Sequence, residues 1–214
     1  MHSLRFFFDP LSPYAYLAFE HLPDALQGLS YEVEYLPVLL APLLKANGQK
    51  GPAEIETKRH WTFRQVAWQA HQLSLPLQVP EQHPFNPLAL ARLCWATAAP
   101  GRTPSRFAVE QVLRHVWRGE GADANAPARL TALRQQLQPQ QEPDSDAVKA
   151  ALRAATDLAL ALGCFGVPTI AFKGRLFWGF DALPMLAAAM RGEAWFDGPD
   201  WDAAAAPRAG VIRS

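Results

Sequence analysis

Apolar positions along the chain fall into two periods, and the order in which the periods alternate predicts the elements. Residues 4–8 form a short apolar and aromatic run closed by Asp9-Pro10, which suits a buried strand. Ser12-Pro13 reads as an N-cap and first helical position. Tyr14, Leu17, Ala18 and Leu22 then share one face of a helix that should end near Gly28. Tyr31-Glu32-Val33-Glu34-Tyr35 alternates apolar with charged residues, the period of a strand with one covered face, so strand, helix and strand are complete by Pro37.

Residues 39–141 carry helical spacing and no strand pattern. Trp61, Arg64, Gln65, Trp68 and His71 step by three and four, as do Leu88, Arg92 and Trp95, and Phe107, Gln111 and Arg114. The polar, proline-containing stretch 137–143 serves as the way out. Asp144-Ser145-Asp146 starts another helix, with Val148, Leu152, Ala155, Ala159 and Leu162 along one stripe before Gly163. Residues 169–172 and 176–178 flank Lys173-Gly174-Arg175 as a hairpin, Asp181 is placed to cap a last helix through Met190, and the tail from Asp200 onward should pack little. This order resembles an α/β, thioredoxin-like mixed sheet interrupted by an all-α helical insertion domain. The boundaries implied are a discontinuous thioredoxin-like domain at 1–38 and 144–195, a helical insertion at 39–143 and a C-terminal tail at 196–214.

Composition narrows the function classes. Half of the 214 residues are apolar, and 20 basic side chains balance 20 acidic ones. No overall basic field recommends a nucleic acid or an anionic membrane as partner. The densest apolar stretches, 36–44 and 158–172, are too short or too interrupted by Pro and Gly to span a bilayer, and the first ten residues lack the pattern of a secretory signal. Cys94 and Cys164 form no C-x-x-C pair, and the scattered histidines His2, His21, His60, His71, His83 and His115 make no metal-ligand motif. A reducing, cytoplasmic setting without a metal is the simpler expectation.

Two segments can carry chemistry: Ser12-Pro13-Tyr14-Ala15 after the first strand and Gly166-Val167-Pro168-Thr169 before the third. Ser-Pro is also an ordinary helix start, and Val-Pro an ordinary strand entrance. In a thioredoxin-like fold, however, the two meet, and the second carries a cis proline, an isomer found in only about 5 to 6% of X-Pro bonds.

The blocks Asp9-x-x-Ser12-Pro13-Tyr14-x-Tyr16-Leu17, Gly51-Pro52-Ala53-Glu54-x-x-x-Lys58-Arg59, Pro84-Phe85-Asn86-Pro87-Leu88-x-x-x-Arg92, Gly163-x-Phe165-Gly166-Val167-Pro168-Thr169 and Phe177-Trp178-Gly179-x-Asp181 follow one another along nearly the whole chain. Together they resemble the family of 2-hydroxychromene-2-carboxylate isomerase and its relative, kappa-class glutathione transferase. The resemblance implies a glutathione site in a cleft between the two parts of the fold, with Ser12 as the catalytic residue at the thiol. It implies cofactor contacts from Ser12, Pro13, Tyr14, Asn47, Lys58, Val167, Pro168, Trp178, Phe180 and Asp181, substrate contacts from Phe85 and Asn86, and a homodimer acting on a small aromatic molecule. A helix N-terminus and a hydroxyl donor both favour the thiolate of a group that is mostly protonated at neutral pH.

Other roles are available to several of these residues. Lys58, with Arg59 and Arg64, could hold a carboxylate or simply solvate a helix face, and Asp181 could receive the glutamyl end or only cap. Trp61, Trp68, Phe85, Trp95 and Trp117 could line a pocket or fill the core. Relatives commonly carry a small polar residue before the Asp and an Arg after it, where this chain has Phe180 and Ala182, and Asn47 is displaced by one position. The activity implied is a glutathione-dependent isomerisation. A kappa-type transferase or peroxidase and a non-catalytic thiol-binding relative are the alternatives. Dithiol exchange is disfavoured because Ser12 stands where it would need a cysteine.

Overall fold

The structure is a computed structural model that describes residues 1–205. Strand β1 (His2–Phe8) pairs parallel with β2 (Tyr31–Pro37) and antiparallel with β3 (Thr169–Phe172), which pairs antiparallel with β4 (Arg175–Trp178). The sheet order is β2-β1-β3-β4. The inner position of β1 explains its nearly unbroken apolar run, since both of its faces are covered. Leu4, Phe6 and Phe8 point one way and Phe7 the other, all four fully buried.

That alternation divides the core in two. The first cluster joins Phe6, Tyr35, Ile170 and Phe177 to Tyr16, Leu17, Phe19 and Leu22 of α1 (Pro13–Ala25). The second joins Phe7, Leu36 and Val38 to Val148, Leu152, Ala155 and Ala159 of α7 (Asp146–Ala161), the stripe expected from their spacing except for Leu162, which follows the helix as its C-cap and is exposed. Each large aliphatic or aromatic side chain so buried contributes roughly 1.5 to 3 kcal/mol before entropy is counted. Pro23, which has no N–H, lies in the last turn of α1, and the helix stops at Ala25, ahead of the expected Gly28.

Between β2 and α7 the chain is helical and strand-free, as its spacing predicts: α2 (Leu40–Ala46), α3 (Glu56–Gln72), α4 (Leu88–Ala96), α5 (Arg106–Trp117) and α6 (Pro127–Leu137). The apolar side chains of this segment are continuous with the core around the sheet. Leu90, Leu93 and Cys94 of α4 sit in the first cluster while Ala91, Trp95 and Ala96 sit in the second. The stretch after α6 is tied down, with the Gln141 N–H on the Ala96 carbonyl at 3.0 Å and its side-chain amide on the Ala98 carbonyl at 2.8 Å.

Three expectations near the C-terminus are corrected. The hairpin turn is Lys173-Gly174 alone, with φ of 48° and 76°, and Arg175 already pairs with Phe172 in β4. Both turn residues lie in the left-handed region that a tight two-residue hairpin requires. Asp181 does not cap the last helix: it sits inside a 3-10 turn, Phe180–Ala182, and α8 (Leu183–Met190) starts after it. Residues 199–204 form α9 (Pro199–Ala204), and Trp201 packs on Phe196 and Phe177 with ring centroids 5.5 and 6.3 Å apart, so this part of the tail is anchored by aromatic contact. The remainder of the expected loose tail, 206–214, lies outside the described residues. Among the described residues no helix is long and apolar enough to cross a membrane.

Candidate active site

Ser12 occupies the N-cap of α1, and its Oγ accepts the Ala15 N–H at 3.2 Å. The same hydroxyl donates to the Val167 carbonyl at 3.3 Å. The helix start and the proline loop therefore meet, and the Val167–Pro168 bond is cis. At 3.3 Å the O–H···O contact is well beyond the usual value of about 2.7 to 2.8 Å, so another acceptor could take this proton at little cost. Ser12 is 6% exposed, so little of the residue reaches solvent. The helix supplies further polarity: Pro13 has no N–H, and the first-turn N–H of Tyr14 has no acceptor within the helix. The Val167 N–H has no hydrogen-bond partner among the described residues.

The loop is held against the end of β4. The Gly179 N–H donates to the Pro168 carbonyl at 2.9 Å, and the Thr169 hydroxyl to the Gly166 carbonyl at 2.8 Å. The Trp178 indole lies on Gly166 so closely that a Cβ there would come within 2.6 Å of its Nε1, and Phe165 packs on the same ring at 4.8 Å. Trp178 is half exposed and forms a wall beside the proline loop. Past Gly179, whose φ is +98°, the Asp181 carboxylate folds back over that glycine. Its charge reaches Tyr14: burial first, and then Asp181, push the Tyr14 phenol above its ordinary range. The phenol donates to Gln65 Oε1 of α3 at 2.8 Å, which brings the helical segment to the site.

Asp9 supports this corner from inside. It is 1% exposed, its Oδ1 accepts the Leu11 N–H at 2.9 Å and its Oδ2 accepts the Leu40 N–H of α2 at 2.8 Å. Burial pushes its carboxyl up to about 6 even though both N–H groups pull the other way. The Ser12 N–H rests on the Asp9 main-chain oxygen at 2.9 Å.

The residues singled out from the sequence thus divide. Ser12, Pro13, Tyr14, Val167, Pro168, Trp178 and Asp181 belong to one corner of the molecule. Phe180 follows Gly179 and lies tilted against His21 of α1, ring centroids 5.9 Å apart. Asn47 donates its amide to the Leu43 carbonyl at 2.8 Å at the end of α2, and Lys58 is exposed on α3. Phe85 is packed in the first core cluster, and Asn86 uses its Oδ1 to accept the Leu88 N–H at 3.0 Å. Trp95 and Trp117 are core residues whose indoles donate to the Pro37 and Pro10 carbonyls, whereas Trp61 and Trp68 are exposed. The sequence alone assigns no role to Asp9 or His83. A carboxylate closing an apolar run hints at the first; a lone histidine gives no signal for the second.

The DSBA-like thioredoxin domain model matches residues 3–191. The chain belongs to that family. Proteins similar to it include glutathione S-transferase kappa 1 of Rattus norvegicus, 28% identical over 90% of this chain and 92% of the relative. The 2-hydroxychromene-2-carboxylate isomerase of Sphingobium xenophagum is 26% identical over 86% of this chain and 95% of its own length. A solved structure of 2-hydroxychromene-2-carboxylate isomerase superposes with a TM-score of 0.76 at 23% identity, covering 96% of this chain and all of that one, which shows the shared fold.

Proposed function

We propose that this protein is a glutathione-dependent isomerase of the 2-hydroxychromene-2-carboxylate type, acting on a conjugated aromatic keto acid. The observation that carries this reading is the Ser12 hydroxyl, weakly spent on the Val167 carbonyl at the N-terminus of α1. The site fits a thiol peptide. A hydroxyl donor at Ser12, the open Tyr14 N–H two residues on and the N–H of Val167, whose carbonyl Ser12 holds, are the donors that an anionic sulfur and an extended backbone would need.

Bound glutathione would supply a thiolate able to add to a conjugated carbonyl compound and leave again. Ser12 turns its proton from Val167 to the sulfur, while the α1 N-terminus adds the positive end of the helix dipole. Val167 and Pro168 hold the cysteinyl backbone, and Trp178, on its glycine seat, walls the cleft and keeps water from the sulfur. Tyr14 stays protonated beside Asp181 and acts as a donor. The glutamyl end falls to Asp181 and the neighbouring Phe180. Lys58, with Arg59 beside it, takes a carboxylate of the peptide or of the substrate. Phe85 and Asn86 would bound the aromatic substrate from the loop before α4, and Asn47 contributes only by releasing Leu43. A serine at this position cannot form a mixed disulfide, so the sulfur is activated without oxidation of the protein.

The two-part organisation, 1–38 with 144–195 around 39–143, belongs to the same proposal, as do a homodimer and a cytoplasmic setting. The two free, buried cysteines fit a reducing compartment. The test follows the absorbance of the chromene carboxylate with and without glutathione. Conversion only with glutathione, at constant free thiol, is the expected result, and equal inactivity in both counts against this substrate. The 28% identity to a kappa-class transferase favours a second reading, a transferase or peroxidase. Stoichiometric loss of free thiol during turnover would select it.

A further inference from the structure

The turn that carries Ser12 is gripped from behind. Asp9 takes the N–H groups of Leu11 and Ser12. Trp117 Nε1 donates to the Pro10 carbonyl at 3.1 Å, and Nε2 of His83 lies 2.9 Å from the Leu11 carbonyl oxygen. A carbonyl only accepts, so the ring proton of His83 sits on Nε2. The other nitrogen, Nδ1, is buried without a partner among the described residues. Phe63, Trp117 and Phe85 surround the ring with centroids 5.0, 5.8 and 6.1 Å away. A second proton would therefore enter a desolvated site with nothing to receive it, close to the like charge of Arg59. Burial, opposed by the hydrogen bond to the Leu11 carbonyl and helped by that charge, holds the imidazole below its ordinary range. The ring is neutral, in one tautomer, with its one donor on the peptide that leads into Ser12.

We propose that His83 is a positioning residue for Ser12: its Nε2–H fixes the Leu11 carbonyl, and with it the Leu11–Ser12 peptide plane from which the hydroxyl and the α1 N-terminus face the cleft. A peptide plane cannot twist at its C–N bond, so holding the Leu11 oxygen also sets the direction of the Ser12 N–H and the start of the helix. Its catalytic consequence rests on Ser12 being the thiol site, whereas its structural consequence does not.

The test compares the protein with His83→Phe, which keeps a flat ring and loses the donor, and His83→Gln, whose side-chain amide can reach the same oxygen. Hydrogen exchange at Ser12 and Ala15 should quicken about tenfold in His83→Phe, the effect of one hydrogen bond, and recover in His83→Gln. Unchanged protection in His83→Phe overturns the proposal. Nitrogen chemical shifts of His83 in the unsubstituted protein give a measure that needs no variant to fold. A neutral ring protonated at Nε2 is required, and a proton on Nδ1 at neutral pH refutes it. If glutathione binds, its thiol pKa should rise in His83→Phe and return in His83→Gln. Failure of the unsubstituted protein to bind glutathione would sink the thiol reading and leave the exchange and tautomer results to judge His83.

Discussion

The Ser12 hydroxyl and the Val167 carbonyl, 155 positions apart in the chain, are joined by a hydrogen bond of 3.3 Å. The serine has one proton to give, and its present acceptor holds it loosely. The N-cap bond from Ala15 needs only the oxygen's lone pair and survives a change of donor target. A guest anion can therefore recruit the hydroxyl without uncapping the helix.

This environment should lower the pKa of any thiol placed at position 12. In Ser12→Cys the new sulfur, at a helix N-terminus, should titrate within roughly 3.5 to 7.5 and take up glutathione from glutathione disulfide, releasing one reduced glutathione. Intact-mass measurement after mixing checks this. A thiol in that variant that stays unmodified and titrates near its ordinary value would mean that the helix end does not face the cleft.

Gly166 should tolerate no side chain. The Trp178 indole occupies the place of a Cβ, so Gly166→Ala must move either the proline loop or the tryptophan. A loss of about 1 to 3 kcal/mol in stability is expected, together with weaker glutathione binding and altered Trp178 emission. Denaturant unfolding followed by fluorescence reads stability and emission, and calorimetry with glutathione reads binding. Unaltered binding and emission would detach Trp178 from the site.

Asp9 should mark the pH dependence of stability. Its carboxyl titrates at about 6 in the folded chain against 3.8 for an ordinary Asp, so the native state holds this proton more tightly than the unfolded state. Its contribution therefore grows as pH falls from about 6 toward 4, is complete below that, and is lost as pH rises again. Relative to Asp9→Asn, the unsubstituted protein should gain up to about 3 kcal/mol between pH 7 and pH 4. Paired denaturation curves across that range check it, and a constant difference would show that burial does not raise this carboxyl.

The periodic elements were legible because local rules govern them. The apolar run of β1, the Ser-Pro start of α1 and the stripe Val148-Leu152-Ala155-Ala159 each announce themselves over a few residues. The meeting of Ser12 with Val167 was legible only through the order of elements. Hidden were the relationships that depend on tertiary distance: Asp9 with Leu40, His83 with Leu11, and the Trp201 seat on Phe177 and Phe196. No local pattern distinguishes a histidine that grips a carbonyl across 72 positions from one that faces water. Asp181 misled for a related reason, since an acid before an apolar run reads as a cap whether the next turn is α or 3-10.

Whether Ser12 stabilises a guest thiolate is read from the ultraviolet absorbance of glutathione titrated while bound to the protein and to Ser12→Ala. The bound thiol should ionise at least about one unit below its free value of about 8.5 and return toward it in Ser12→Ala. That variant should also lose about 1 kcal/mol of stability from the missing cap and about a hundredfold in turnover. A bound thiol that titrates as it does in water, or one whose ionisation is the same with alanine at position 12, would mean that Ser12 does not stabilise the thiolate.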